Sequence, residues 1–217
     1  MQYSTTLAAP TLNAATDEKA NQITHAFGFA LSVVGSLVMM PVAFGEALRF
    51  VACGLYCVTL MAVDAASTLS HSFGEGRLRD RYRTLDQVCI FFLIVGTFTP
   101  VALEHLRGVM CWGLLGLMWL IAVVGSVRRF TRGDRSMWTY LMLGWMPIVA
   151  VAPIAASAGT NGAMIVVGGG LLYSTGAVFL AKDGRRPYFH AIWHMFVIAG
   201  SACHYLFVYQ FVAMRTT

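Results

Sequence analysis

The chain has 217 residues, of which 58% are hydrophobic and 12% charged, with a mean hydropathy of +0.67. Soluble domains carry roughly 25% charged residues, so this composition excludes an ordinary soluble globule and points to one integral membrane domain. The formal net charge of +5 follows from the positive-inside bias of membrane proteins, and no nucleic-acid partner is implied.

Residues 1–20 lack the basic n-region and apolar h-region of a secretory signal, and are expected to form a short polar cytoplasmic tail ahead of a membrane domain spanning 21–217. A helix of about 20 apolar residues crosses a bilayer. On that criterion seven spans are expected, near Ile23 to Phe44, Phe50 to Ser70, Leu85 to Leu103, Val109 to Val127, Met137 to Ala158, Ala163 to Ala181 and Tyr188 to Met214. The turns that separate closely spaced pairs are GEALR at 45–49 and SAGTNG at 157–162. The fold class is therefore all-α, a seven-helix membrane bundle in the plasma membrane.

Charge fixes the expected orientation. If seven spans alternate, one side holds Lys19, Arg77, Arg79, Arg81, Arg83, Arg128, Arg129, Arg132, Arg135, Lys182, Arg185 and Arg186, and the other holds Arg49, Arg107 and Arg215. Twelve against three places the N-terminus in the cytoplasm and the C-terminus outside. Cys53, Cys57, Cys89, Cys111 and Cys203 include no C-x-x-C pair and read as buried small hydrophobes. Gly168, Gly169 and Gly170, and Gly113 with Gly116, read as close helix contacts. Pro100, Pro147 and Pro153 are expected to kink or bound spans.

Topology gives each ionisable residue a depth. His71 ends span two, Asp86 opens span three, and His190 and His194 open span seven, all at the cytoplasmic side. The i, i+4 spacing puts His190 and His194 on one helix face, roughly 6 Å apart along the axis, so both reach one ion. A catalytic zinc commonly keeps three protein ligands, and His71 is the third expected here. His204 lies about 15 Å beyond His194 by the helical rise, too far to join. Haem is disfavoured, because axial ligands approach opposite faces of the macrocycle. Asp86 could be a fourth ligand, or could hydrogen-bond to a water on the metal as general base. Ser67, one turn before His71, could stabilise an oxyanion or position substrate.

Ser67 with His71, "LDQVCIFFLIVGTFTP" from Leu85, "HAIWHMFVIAGSACHY" from His190, and the E-x-x-N-x-x-T-H of Glu18 to His25 together resemble the hemolysin III family. That family is the bacterial branch of a seven-helix superfamily with the progestin and adipoQ receptors and the alkaline ceramidases. The resemblance implies zinc held by His71, His190 and His194, with Asp86 contacting the water on the zinc and Ser67 beside it. Asp64 departs from the family pattern, which usually has an apolar or small residue there. An intramembrane carboxylate is a functional hypothesis by default, either protonated and hydrogen-bonded or relaying protons. Glu18 and His25 could be a helix cap, an interfacial contact or a site rim.

Three functions follow as expectations. The first is a zinc-dependent hydrolase of a lipid amide or ester, with membrane lipid as substrate. The second is a non-enzymatic membrane-homeostasis regulator or receptor, with lipid as ligand and a structural metal site. The third, a cytolytic pore, ranks last, because apart from Asp64 and His204 the spans offer little to line a polar path.

Overall fold

The computed structural model describes residues 12–133 and 136–215. Residues 1–11 of the expected tail, and Arg135, lie outside the described residues. Among the described residues every regular element is a helix and no strand occurs. The helices are α1 (Leu12–Ala43), α2 (Ala47–Ser70), α3 (Arg77–His105), α4 (Gly108–Arg132), α5 (Met137–Trp145), α6 (Val151–Leu180) and α7 (Phe189–Val208). A 3-10 turn, Met146–Ala150, joins α5 to α6, and a π-turn, Tyr209–Ala213, extends α7.

Among the described residues six helical stretches are long and apolar enough to cross a membrane, the stretch Met137–Leu180 counting as one of 44 residues. Expected spans five and six both fall within that stretch, where two helices meet across a kink at Gly159. The expected break at 157–162 survives as a single non-helical residue, Gly159 (φ 74°, ψ 171°), a left-handed backbone that glycine adopts without strain. The other expected turn is a real one. Gly45 (φ 121°) ends the α1 segment, and the Glu46 carboxylate caps α2 by accepting from the Leu48 and Arg49 amides.

The start of α1 at Leu12, well before Ile23, shows that the helix runs on through polar sequence that an apolar window does not register. Pro41, Pro100 and Pro153 lie within helices, and Pro147 lies in the 3-10 turn. The backbone donor that Pro147 lacks, and the clash of its ring with the preceding turn, account for the local departure from α geometry.

Tyr56, Met39, Met118 and Phe207 are fully buried at the centre of the bundle, while apolar side chains such as Val109, Trp112 and Leu37 point outward. Outward apolar surface is what a bilayer requires, since helices satisfy their own backbone and leave only side chains to meet lipid. The glycine expectation needs correction. Gly113, Gly116 and Gly168 meet no other helix closely, whereas a Cβ on Gly169 would fall 2.7 Å from the His204 ring. Other close approaches occur at Gly96, where a Cβ would lie 2.3 Å from Thr59 Oγ1, and at Gly176 against Trp193 and Phe196. All five cysteines are free thiols, and Cys203 alone is only partly buried.

At the end opposite the histidine cluster, Glu104 of α3 pairs with Arg49 of α2 (3.8 Å) and with Arg215 (3.0 Å). Thus two of the three basic residues expected on the sparse side share one carboxylate there.

Candidate metal centre

His71 is the C-cap of α2, and His190 and His194 occupy the first two turns of α7. The α6–α7 turn sets the entry of α7 through Tyr188, whose φ of 64° is an outlier for a bulky residue. Backbone strain of this kind persists where surrounding structure holds it. The result brings one ligand atom from each of the three histidines within 4.8 Å of the others. Ring centroids lie 5.1 Å apart for His71 and His190, 5.3 Å for His71 and His194, and 4.5 Å for His190 and His194.

Each ring has a partner for its other nitrogen. His71 Nδ1 donates to Glu18 Oε2 at 2.7 Å, and His190 Nδ1 donates to Asp183 Oδ2 at 2.8 Å. His194 Nδ1 lies 3.0 Å from Thr24 Oγ1. The threonine hydroxyl hydrogen is committed to the Ala20 or Asn21 carbonyl, so Thr24 Oγ1 accepts from the ring. All three Nδ1 atoms are thereby protonated donors, which leaves the Nε2 lone pairs for a metal. Metal-bound histidines almost always donate their second nitrogen in this way, which fixes tautomer and ring orientation. The donor set fits a divalent ion of the kind that takes imidazole, zinc among them.

Electrostatics at the rim agree with this. Burial holds His71 below the usual histidine range against the opposing hydrogen bond to Glu18, so its ring is neutral, as a ligand must be. The hydrogen bond from His190 holds the Asp183 carboxyl below its ordinary value, despite partial burial. Glu18 is also paired with Arg79 and, at 3.6 Å, with Arg83, which anchors α1 and His71 to the start of α3.

Outer partners of this type are worth about 10–100-fold in metal affinity. Glu18→Gln and Asp183→Asn are each expected to speed metal loss to a chelator by a factor in that range. A chromogenic chelator assay checks this, and unchanged release rates in both variants would contradict the assignment.

Asp86, on α3, is outside the set of mutually close ligand atoms. It faces Ser67, and both line a cavity of about 450 Å³ together with His25, His190 and His194. From this polar end the cavity runs between apolar side chains of α3, α5, α6 and α7, among them Ile90, Leu93 and Val197, and reaches His204. His204 stands apart from the cluster, with its ring stacked on Tyr173 at 5.6 Å.

His25 is not part of the ligand set either. Its ring packs edge-on to His194 at 4.0 Å, and its Nδ1 lies 2.9 Å from Asp64 Oδ1. The unusual Asp64 thus has a buried partner on α1, directly behind a candidate ligand. Of the alternatives open for Glu18, the rim of the site is the one its hydrogen bond to His71 selects.

Sequence reasoning missed Asp183, whose role depends on the α6–α7 turn. It also missed Thr24, although that residue falls in a motif already singled out. His105 was missed as well. It is buried at the far end with Nδ1 2.7 Å from Ser157 Oγ, a contact between α3 and α6 with no sequence signature.

Fold and site together define a multi-pass helical membrane protein with a three-histidine cluster at one end of its bundle. The chain belongs to the haemolysin-III related family, whose model matches residues 13–205. It is 36% identical to hemolysin-3 of Bacillus cereus over 204 residues, covering 90% of this chain and 92% of the relative. Similarity to the hemolysin-3 homolog of Bacillus subtilis (strain 168) is 35% over 88% and 92%. A more distant likeness, 27% over 93% of this chain and 87% of the relative, is to the monocyte to macrophage differentiation factor of Homo sapiens.

Proposed function

We propose that the chain is a plasma-membrane hydrolase of a lipid amide or ester, dependent on a zinc ion held by His71, His190 and His194. The observation that carries this reading is the Asp86 carboxylate, which lines an apolar cavity beside the histidines without belonging to their cluster. When bound, zinc supplies Lewis acidity, which polarises a carbonyl and acidifies water. Asp86 takes the proton of the attacking water and returns it to the leaving group. Ser67 faces Asp86 and orients either that carboxylate or the substrate carbonyl. The apolar wall receives the acyl chain and keeps bulk water from the reacting end.

The same reading gives the bundle seven spans, with the N-terminus in the cytoplasm and the C-terminus outside. In its favour, the 44-residue stretch Met137–Leu180 would extend roughly 66 Å as a straight helix, about twice the hydrocarbon thickness. The non-helical Gly159 is where it turns back. The excess of Lys and Arg near the histidine end favours that end as cytoplasmic.

Purified, metal-loaded protein incubated with ceramides and phospholipids is expected to release fatty acid, and His190→Ala is expected to abolish the release. No turnover despite bound metal would sink the hydrolase. It would favour the second reading, a membrane-homeostasis protein in which the metal ties α2 to α7.

A further inference from the structure

We infer that the turn between α6 and α7 is the head-group half of the site, and that the amphiphile it takes carries a phosphate-type anionic head. The inference rests on the hydrolase reading for the position of the reacting bond, but the binding it describes is measurable without turnover. A second cavity, of about 580 Å³, adjoins the apolar one and shares with it Asp86, Gln87, Leu180 and His190. One histidine of the cluster and the candidate base therefore stand at the junction of an apolar chamber and a polar one.

The polar chamber is lined by Arg83, Arg129, Arg185 and Arg186. Its carboxylates are largely committed. Glu18 is held by His71, Arg79 and Arg83, and Asp183 is held by His190 and the Gly184 amide. Against the arginines stand Asp17 and, at the junction, Asp86. Arg185 and Arg186 make no ion pair or side-chain hydrogen bond among the described residues. Arg129, by contrast, is 5% exposed and already donates to the Gly133 carbonyl at 3.2 Å, so it forms part of the chamber wall.

Guanidinium groups present paired donors in a planar fork that matches phosphate oxygens, and two adjacent ones can face several oxygens of one group. A neutral head would leave Arg185 and Arg186, at the mouth of that chamber, without a counter-charge. The scissile bond then sits where chain meets head, beside His190 and Asp86. The same arginines at the membrane surface would meet many lipid phosphates without saturating, so dodecyl phosphate saturating at about one per chain is expected here, and uptake that does not saturate would overturn the inference.

The test measures equilibrium binding to the detergent-solubilised full chain with three probes: dodecyl phosphate, a neutral dodecyl amphiphile of the same chain length, and inorganic phosphate. Dodecyl phosphate is expected to bind roughly tenfold more tightly than its neutral counterpart. Arg185→Gln with Arg186→Gln is expected to remove most of that preference while bound metal is unchanged. Arg185→Lys with Arg186→Lys is expected to restore part of it.

Equal binding of the two amphiphiles, or a preference that survives the glutamine variant, would overturn the inference. Inorganic phosphate binding as tightly as dodecyl phosphate would also overturn it, by making free phosphate the ligand. If the preference holds but no lipid is hydrolysed, the enzyme reading fails alone. If lipids are hydrolysed without regard to head charge, this inference fails alone.

Discussion

His194→Ala is expected to lose bound metal by more than the 10–100-fold typical of outer partners, because it removes one of three ligands rather than the group behind one. His194 is 1% exposed and lies between His25, His71 and His190. The substitution also strands Thr24, whose oxygen accepts from the ring. Metal content of the purified variant, read beside a folding control such as elution volume in detergent, checks the prediction. Full metal retention in a well-folded His194→Ala protein would remove His194 from the ligand set. His204→Ala is the matching control, since that ring lies in the same cavity but outside the cluster.

Asp86→Asn is expected to keep the metal and lose turnover, by about 10²–10⁴-fold, the usual contribution of a positioned general base. The separation of the two readouts matters because Asp86 is outside the mutually close ligand atoms. A variant that lost metal together with activity would instead make Asp86 a ligand. One that kept both would place the base elsewhere. Asn is the suitable replacement, since it preserves shape against Ser67 while removing the proton acceptor.

The histidine cluster was legible in the sequence because two regularities suffice to place it. The i, i+4 spacing of His190 and His194 fixes a shared face, and the alternation of spans puts His71 at the same end. The rest of the site depended on irregular backbone. Asp183 meets His190 only through a turn containing Gly184 (φ 76°) and Tyr188 (φ 64°), and no periodicity encodes that turn. Thr24 lies within the expected first span but has no spacing that ties it to His194, and Glu18 reaches the site because α1 begins at Leu12 and carries its polar first turns along the bundle. A hydropathy window discards that segment as tail.

The fold was legible to a similar depth. Helical class and most spans follow from apolar length, and the GEALR turn from its glycine and capping glutamate. The division of Met137–Leu180 is harder. The strong turn residues at 157–162 produce a kink at Gly159 across which two helices meet, while Pro147, expected to kink or bound a span, sits in a 3-10 turn upstream. Helix contacts at glycine likewise depend on which face meets a neighbour. Gly96 and Gly176 do and Gly113 and Gly116 do not, though all four lie in apolar helices.

Three imidazoles, each fixed by its own outer partner, are proposed to hold one metal ion. Elemental analysis of protein purified without chelator tests it most directly. About one divalent ion per chain, with zinc expected, lost on chelation and regained on adding metal, is the predicted result. Metal near zero, with none taken up on addition, would contradict it.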